Sequence, residues 1–320
     1  MNPPDTHGPL VSVVIPTYNY GHCVAEAIES ALGQTYPTVE VIVVDDGSTD
    51  DTAARVAAFG QRIRSIRQTN QGLSAARNTG IIAARGAVIA LLDADDAFHP
   101  RKLELQMGYL AAHPDTGLLG TAAFSAPDRA WPPLPIAPLD AQPIIQGEFV
   151  IKSRFAPSSA VIPKRCFDVV GLFDTSLRSV EDRDMWIRLA ARFPAAVLPA
   201  ALTWYRLQPG SMSTNAARME QFERVVLEKA FASIELRGRR VLRRKAFGLA
   251  AYSAAFMYYD SNKPWVALRR MATSFLWWPG VFPVPDVRMP LARIRLTVAI
   301  LRRLVRRCWP NASPGAGGKV

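Results

Sequence analysis

The sequence predicts an α/β protein built on a largely parallel sheet, followed by a basic α-helical extension. Three observations lead there. Short β-branched runs alternate with stretches of helical periodicity through the first hundred residues. Three of those predicted strands run straight into acidic or aromatic loops. Charge is also divided unevenly. Residues 1–234 hold 21 Lys and Arg against 24 Asp and Glu, a net −3, whereas 235–320 hold 17 against 3, a net +14.

The elements follow in order. "VSVVIP" (11–16) is a buried strand closed by a proline, and 22–34 carry Val24, Ala27, Ile28, Ala31 and Leu32 at helical spacing. "VEVIVV" (39–44) is a second strand, ended by the turn "DDGSTD", in which Ser48, Thr49 or Asp50 can cap a helix over 51–60. "IRSIRQ" (63–68) is a third strand, 72–84 a third helix, and "AVIALL" (87–92) a fourth strand. Such alternation gives a parallel sheet covered by helices. Residues 125–147, rich in proline, read as an irregular connection or a flap. "SVEDRDMWIRLAARF" (179–193) opens on acids and continues as a helix, with Trp186 and Arg188 as packing residues.

Composition narrows the function classes. Hydrophobic residues make up 49% and charged residues 20%, enough for a packed core. Cys23, Cys166 and Cys308 are far apart and form no CxxC, which speaks against a zinc site or a disulfide framework and for a reducing compartment. The first residues lack the pattern of a signal peptide. No apolar run reaches the ~18 residues of a membrane span.

Ligands of open parallel sheets bind beyond the carboxyl ends of the strands. At those ends lie Pro16-Thr17-Tyr18-Asn19, Asp45-Asp46, and Asp93, Asp95 and Asp96 in "LLDADD". Three carboxylates this close call for a positive partner. A D-x-D after a strand suits a hard divalent cation such as Mg²⁺ or Mn²⁺, held by one or two carboxylates with phosphate oxygens completing the shell.

"VSVVIPTYNYGHCVAEAIESALGQTYPTVEVIVVDDGSTDDT", "NQGLSAARNTGI", "GAVIALLDADD", "GLFD" and "VEDRDMWIRLA" occur in that order over roughly 10–210. Together they strongly resemble family 2 glycosyltransferases. The resemblance implies a GT-A fold, a nucleotide-diphospho-sugar transferase architecture with a mixed, mostly parallel central sheet. It implies inverting transfer from a nucleotide-diphosphate sugar, a UDP-sugar first, to an acceptor hydroxyl, with Mn²⁺ or Mg²⁺ as cofactor. By motif position, Pro16, Tyr18, Asp46, Arg77 and Asp93 would line the nucleotide. Asp95 would ligate the metal, with Asp93 and Asp96 beside it. Asp182 would be the catalytic base, with Glu181 as the alternative. In many relatives a histidine follows the base segment; here "WYRLQPGSMS" has Gln208, leaving Arg206, Ser211 or Ser213 to hold the diphosphate.

The tail is a separate matter. Residues 238–259 place Leu242, Ala246, Leu249, Ser253 and Phe256 on one stripe, and a second helix follows Lys263-Pro264. A third, 290–308, has Leu291, Ile294, Val298, Leu301 and Val305 on a stripe, with Arg293, Arg295, Arg302, Arg303, Arg306 and Arg307 on other faces. Basic amphipathic helices suit an anionic bilayer surface; packing on the catalytic domain is the alternative. No nucleic-acid module is visible, so nucleic acid is not an expected partner.

The expected layout is a flexible 1–9, a GT-A domain over 10–234 (nucleotide half 10–115, acceptor half 116–234), a basic extension over 235–310 and a disordered 311–320. The expected setting is the inner face of the plasma membrane, with a glycan or lipid-linked acceptor of the cell envelope. A metal-dependent nucleotidyltransferase and a catalytically silent membrane scaffold are the competing readings.

Overall fold

A computed structural model describes residues 8–126, 130–134, 140–207, 215–282 and 291–308. The chain divides into two compact units, Met1–Gln208 and Pro209–Val320. Residues 1–7 and 311–320, Gln208, Ser211 and Ser213, and parts of the proline-rich 125–147 lie outside the described residues.

The first unit begins with β1 (Val11–Thr17), α1 (Val24–Leu32), β2 (Val39–Asp45), α2 (Thr52–Ala57), β3 (Arg64–Arg67), α3 (Leu73–Ala83) and β4 (Val88–Leu91). It continues with β5 (Ala97–Phe98), α4 (Lys102–Ala112), β6 (Leu118–Phe124), β7 (Gln142–Ile144), α5 (Gln146–Ile151), β8 (Val161–Pro163), α6 (Arg165–Val170), α7 (Glu181–Ala190) and β9 (Ala195–Trp204). The strands form one sheet in the order β3-β2-β1-β4-β8-β6-β9-β5, with β7 on β9. β3, β2, β1 and β4 are parallel, β8 runs against β4 and β6, and β6 is parallel to β9.

That order positions a site. The chain moves outward from β1 through β2 to β3, then returns to lay β4 on β1's other side. Connections leaving neighbouring strands in opposite directions open a crevice at their carboxyl ends. β1 is buried along its whole length because both of its faces are covered. Val24, Ala27, Ile28 and Ala31 of α1 share a core with Val11, Val13 and Ile15. On the other face α3 comes very close: a Cβ on Gly80 would stand 2.3 Å from Val14 Cγ1. β1 also runs through its proline. Its pairing with β4 ends at Val14, so Pro16 has a strand on one side only, a position that tolerates the missing N–H.

The second unit is helical: α8 (Ala216–Ala232), α9 (Arg240–Asp260), α10 (Pro264–Trp277) and α11 (Ala292–Cys308). The division at residue 208 assigns α8 to this unit, although the sequence suggested a boundary after 234. Its core sets small residues against large ones: Ala254 and Ala255 of α9 and Ala267 of α10 meet Met271, Leu296 and Ile300. This chemistry redirects two of the expected stripes. On α9 the alanines turn inward, letting helices approach closely, and Phe256 points out. On α11 the buried seam is Leu296, Ile300 and Leu304, and the expected stripe from Leu291 to Val305 is exposed. Nor is Arg293 an outward arginine. It is buried between the rings of Phe275 and Phe282, donating to the carbonyls of Trp278, Pro279 and Gly280 after α10.

Gly80→Val should lower stability by about 1–3 kcal/mol by overpacking against Val14. Urea denaturation measures this, with an exposed neighbour, Ile82→Val, as an unaffected control.

Candidate active site

The carboxyl ends of β1, β2 and β4 are clasped by side chains of their own loops. Asn19, in the left-handed region at φ 58°, donates its N–H to Ser48 Oγ at 2.9 Å and accepts from Thr49 N at 2.8 Å. Asp50 accepts from Gly21 N and from Thr52 N at the start of α2, but the N-cap position falls on Asp51, not on the expected Ser48, Thr49 or Asp50, because the turn runs one residue further before the helix begins. Asp46 is buried: Oδ1 accepts from Gln68 Nε2 and Gln71 N, and Oδ2 from Gly72 N at 2.8 Å. It therefore anchors the loop into α3 while keeping some acceptor capacity on Oδ2. Pro16 is buried beneath this rim, and Tyr18 stands 44% exposed upon it.

The three aspartates after β4 are not equivalent. Asp96 is turned into the protein, where Oδ2 accepts from Ser158 Oγ at 2.5 Å and Oδ1 from Arg206 N at 3.1 Å. The same Ser158 hydroxyl accepts from Asp93 N, so one buried serine fixes both ends of the acidic turn. Asp93 and Asp95 remain half-buried at the rim. Burial first, then the charge of Asp93, pushes the Asp95 carboxyl up to about 6. Arg206 braces this turn. Its Nε donates to Asp95 O at 3.0 Å, its NH2 pairs with Glu26 at 2.6 Å, and its guanidinium lies 4.5 Å from the Trp204 ring centroid.

Arg77 joins this turn to the other half of the site. Its side chain is 1% exposed. One arm donates to Asp93 Oδ1 at 2.7 Å and the other to Glu181 Oε1 at 2.6 Å. It reaches the rim through Asp93 and has no open surface of its own. Despite burial, the two carboxylates hold its pKa above the usual arginine value.

Glu181 and Asp182 begin α7, where the helix dipole favours negative charge. Val180, just before them, has φ 63° and ψ 17°. A β-branched residue in the left-handed region carries about 1–3 kcal/mol of strain. Two arginine anchors, Arg183 buried and Arg188 half-buried, keep α7 in place. Arg183 donates to the carbonyls of Phe149, Val150 and Ile151 at the end of α5. Arg188 donates to those of Val170, Gly171 and Leu172 at the end of α6 and pairs with Asp184. Glu181 is buried against Arg77, whereas Asp182 is half-buried. Burial, then the neighbouring Glu181 charge, pushes the Asp182 carboxyl up to about 6.

Six carboxylates (Glu26, Asp93, Asp95, Asp96, Glu181 and Asp182) thus gather about two guanidiniums, Arg77 and Arg206. The surplus negative charge and all-oxygen donors fit a hard divalent cation. Among the described residues no group of three or more His, Cys, Asp or Glu is arranged to hold a metal. Asp93 and Asp95 offer two half-buried carboxylates, so a cation there would need further oxygens from outside the protein to complete its shell. Sequence reasoning missed Ser158, Val180 and Arg183. Only Ser158 left a signal, as half of a Ser-Ser pair before the apolar run "AVIP".

The fold and this acidic rim define a GT-A-type architecture. Residues 12–163 match the profile of Glycosyl transferase family 2. An uncharacterised glycosyltransferase of Rickettsia prowazekii is 32% identical over 187 residues, 57% of this chain and 59% of that one. TarS 1–349 of S. aureus has a TM-score of 0.62 at 17% identity, covering 95% of this chain and 92% of that chain. The mannosyltransferase PcManGT of Pyrobaculum calidifontis, in complex with GDP-Man and Mn²⁺, has a TM-score of 0.57 at 20% identity, covering 96% and 89%. The family these similarities support is glycosyl transferase family 2, matched over just under half of the chain. It spans about three fifths of the length of the Rickettsia relative.

Removing the Arg77 bridge should leave two carboxylates without their partner. Arg77→Met is expected to lower unfolding free energy by about 3–5 kcal/mol in urea titration. Arg77→Lys, which keeps the charge but loses the fork, should fall between it and wild type.

Proposed function

We propose that the protein is an inverting glycosyltransferase, moving a sugar from a nucleotide-diphosphate donor, a UDP-sugar first, to an acceptor hydroxyl. The observation that carries this reading is the pairing of two acidic centres through Arg77. A carboxylate turn suited to a cation and diphosphate lies on one side, and a raised carboxylate suited to proton transfer on the other. The solved relatives support the donor class, since TarS is known with UDP and UDP-GlcNAc and PcManGT with GDP-Man and Mn²⁺.

The residues then divide the work. Tyr18 offers its exposed ring to the base by stacking. Asp46 accepts from a base N–H through its remaining lone pair, and Pro16 shapes the floor beneath. Asp93 and Asp95 hold Mn²⁺ or Mg²⁺, with Asp93 also on the ribose side; Asp96 keeps their turn rigid. The bound ion supplies neutralisation of the charge on the leaving diphosphate. Asp182 accepts the acceptor hydroxyl's proton as that oxygen bonds to the anomeric carbon and the carbon–oxygen bond to the diphosphate breaks. Attack from the face opposite the leaving group inverts the configuration. At pH 7 a carboxyl titrating near 6 is mostly ionised yet more basic than an ordinary aspartate, which suits a general base. Glu181, committed to Arg77, keeps that charge arrangement in place.

The acceptor in this reading is a glycan or lipid-linked glycan of the cell envelope, met at the inner face of the plasma membrane. The +14 charge of residues 235–320 supports that setting. No helix among the described residues is long and apolar enough to cross a membrane, so the contact would be peripheral.

A panel of nucleotide sugars, assayed for hydrolysis and transfer with Mn²⁺, Mg²⁺ or chelator, tests the reading. Asp182→Asn should lower kcat about 10²–10⁴-fold with little change in donor KM. Asp95→Ala should abolish the metal dependence of donor binding seen by calorimetry. Unchanged activity in both variants sinks the assignment. In wild type, kcat should drop as pH falls through about 6, because the base must be unprotonated to act. A flat profile between pH 5 and 8 assigns the base elsewhere.

A further inference from the structure

The helix α11 is apolar on two sides. Its buried side carries Leu296, Ile300 and Leu304. Its outer side carries Leu291, Ile294, Val298, Leu301 and Val305, each 40–55% exposed. These five follow one another at three- and four-residue steps, a continuous stripe along the helix. An ordered apolar stripe facing water marks a surface that awaits a partner.

The arginines of α11 indicate which partner. Arg293 is drawn inward to the carbonyls after α10. Arg303 donates to Tyr259 O and lies over that ring, and Arg307 donates to Asn262 O, both at the end of α9. These three hold the helix in its seat with the stripe outward. Arg295, Arg302 and Arg306 are exposed. Each directly follows a stripe residue, about 100° further round the helix, so all three border the stripe on the same side. α11 contains no Asp or Glu.

We propose that this outer face of α11 docks on an anionic phospholipid bilayer, with the five aliphatic side chains among the acyl chains and Arg295, Arg302 and Arg306 on the phosphates. The proposal rests on the membrane part of the preceding reading and is independent of the transfer chemistry. A second copy of the chain is the poorer match, because self-pairing brings six exposed arginines, Arg295, Arg302 and Arg306 of each copy, to one interface with no acid on either helix to relieve them. A bilayer satisfies both features at once, since an aliphatic stripe flanked by guanidiniums is the pattern of a helix lying in the interface.

Sedimentation of the full chain with vesicles of phosphatidylcholine, with and without phosphatidylglycerol, tests the proposal. Wild type should sediment with the anionic vesicles only, and less as salt rises. The triple variant Arg295→Gln, Arg302→Gln, Arg306→Gln should partition on the order of 100-fold more weakly. Ile294→Ser with Leu301→Ser should lose binding at least tenfold, with an unchanged melting temperature. Donor hydrolysis without vesicles reads the transfer chemistry separately, and should stay at the wild-type rate in both variants. Three results overturn the proposal. One is equal sedimentation of variants and wild type. Another is a wild-type dimer in light scattering that Ile294→Ser with Leu301→Ser dissociates, which would make the stripe a self-contact. The third is a marked drop in melting temperature in that variant, which would mean that the stripe packs within the chain.

Discussion

The Arg77 guanidinium is the joint on which the site depends. It rises from α3, one element before the acidic turn, and ties Asp93 to Glu181, which lies 104 residues further along the chain than Arg77. A buried ion triad of this kind is a weak source of net stability, since desolvation offsets much of the attraction. Its value is geometric. With both arms used, the planar fork fixes the separation of its two acids. The Phe173 ring lies against the guanidinium, 5.4 Å from its carbon, and restricts it further. The sheet brings β1, β2 and β4 together, but the sheet alone does not align α7 with them.

Around that joint the same device recurs: an arginine takes the unsatisfied carbonyls at a helix end. Arg183 does so for α5 and Arg188 for α6, and both belong to α7. The final carbonyls of a helix need donors, and here a third helix supplies them. α7 is thereby held at two points, each of which also completes a neighbour. Its first turn can carry two adjacent carboxylates because the rest of the helix is held in place by other groups. In the second unit Arg293 serves α10 in the same way.

The sequence made the parallel half of the fold legible because its signals are local. β-branched runs of strand length, turn residues and helical spacing all agree across residues 11–92. The acidic and aromatic loops could be assigned to one rim for the same reason, given only that parallel strands end on the same side. What the sequence hid was non-local or ambiguous. Nothing near Arg77 or Arg183 announces partners dozens of residues away. Val180 looks like any strand-forming valine until its backbone angle is known. In α11, apolar residues occupy two sides, so periodicity alone chose the stripe that faces outward. Alanine-rich α9 was ambiguous too, because a small residue marks a close approach as readily as a neutral surface.

Glu181 and Asp182 are adjacent and chemically almost interchangeable, yet one is a buried ion-pair partner of Arg77 and the other is half-buried. The chain separates them only by where the helix begins. Successive residues point about 100° apart on an α-helix, so starting α7 one residue later would swing Asp182 toward the seat of Glu181. The left-handed turn at Val180 sets that starting point. Which carboxylate is tied to Arg77 and which is left half-buried is therefore a matter of helical phase, written in the backbone of a residue that has no functional group at all.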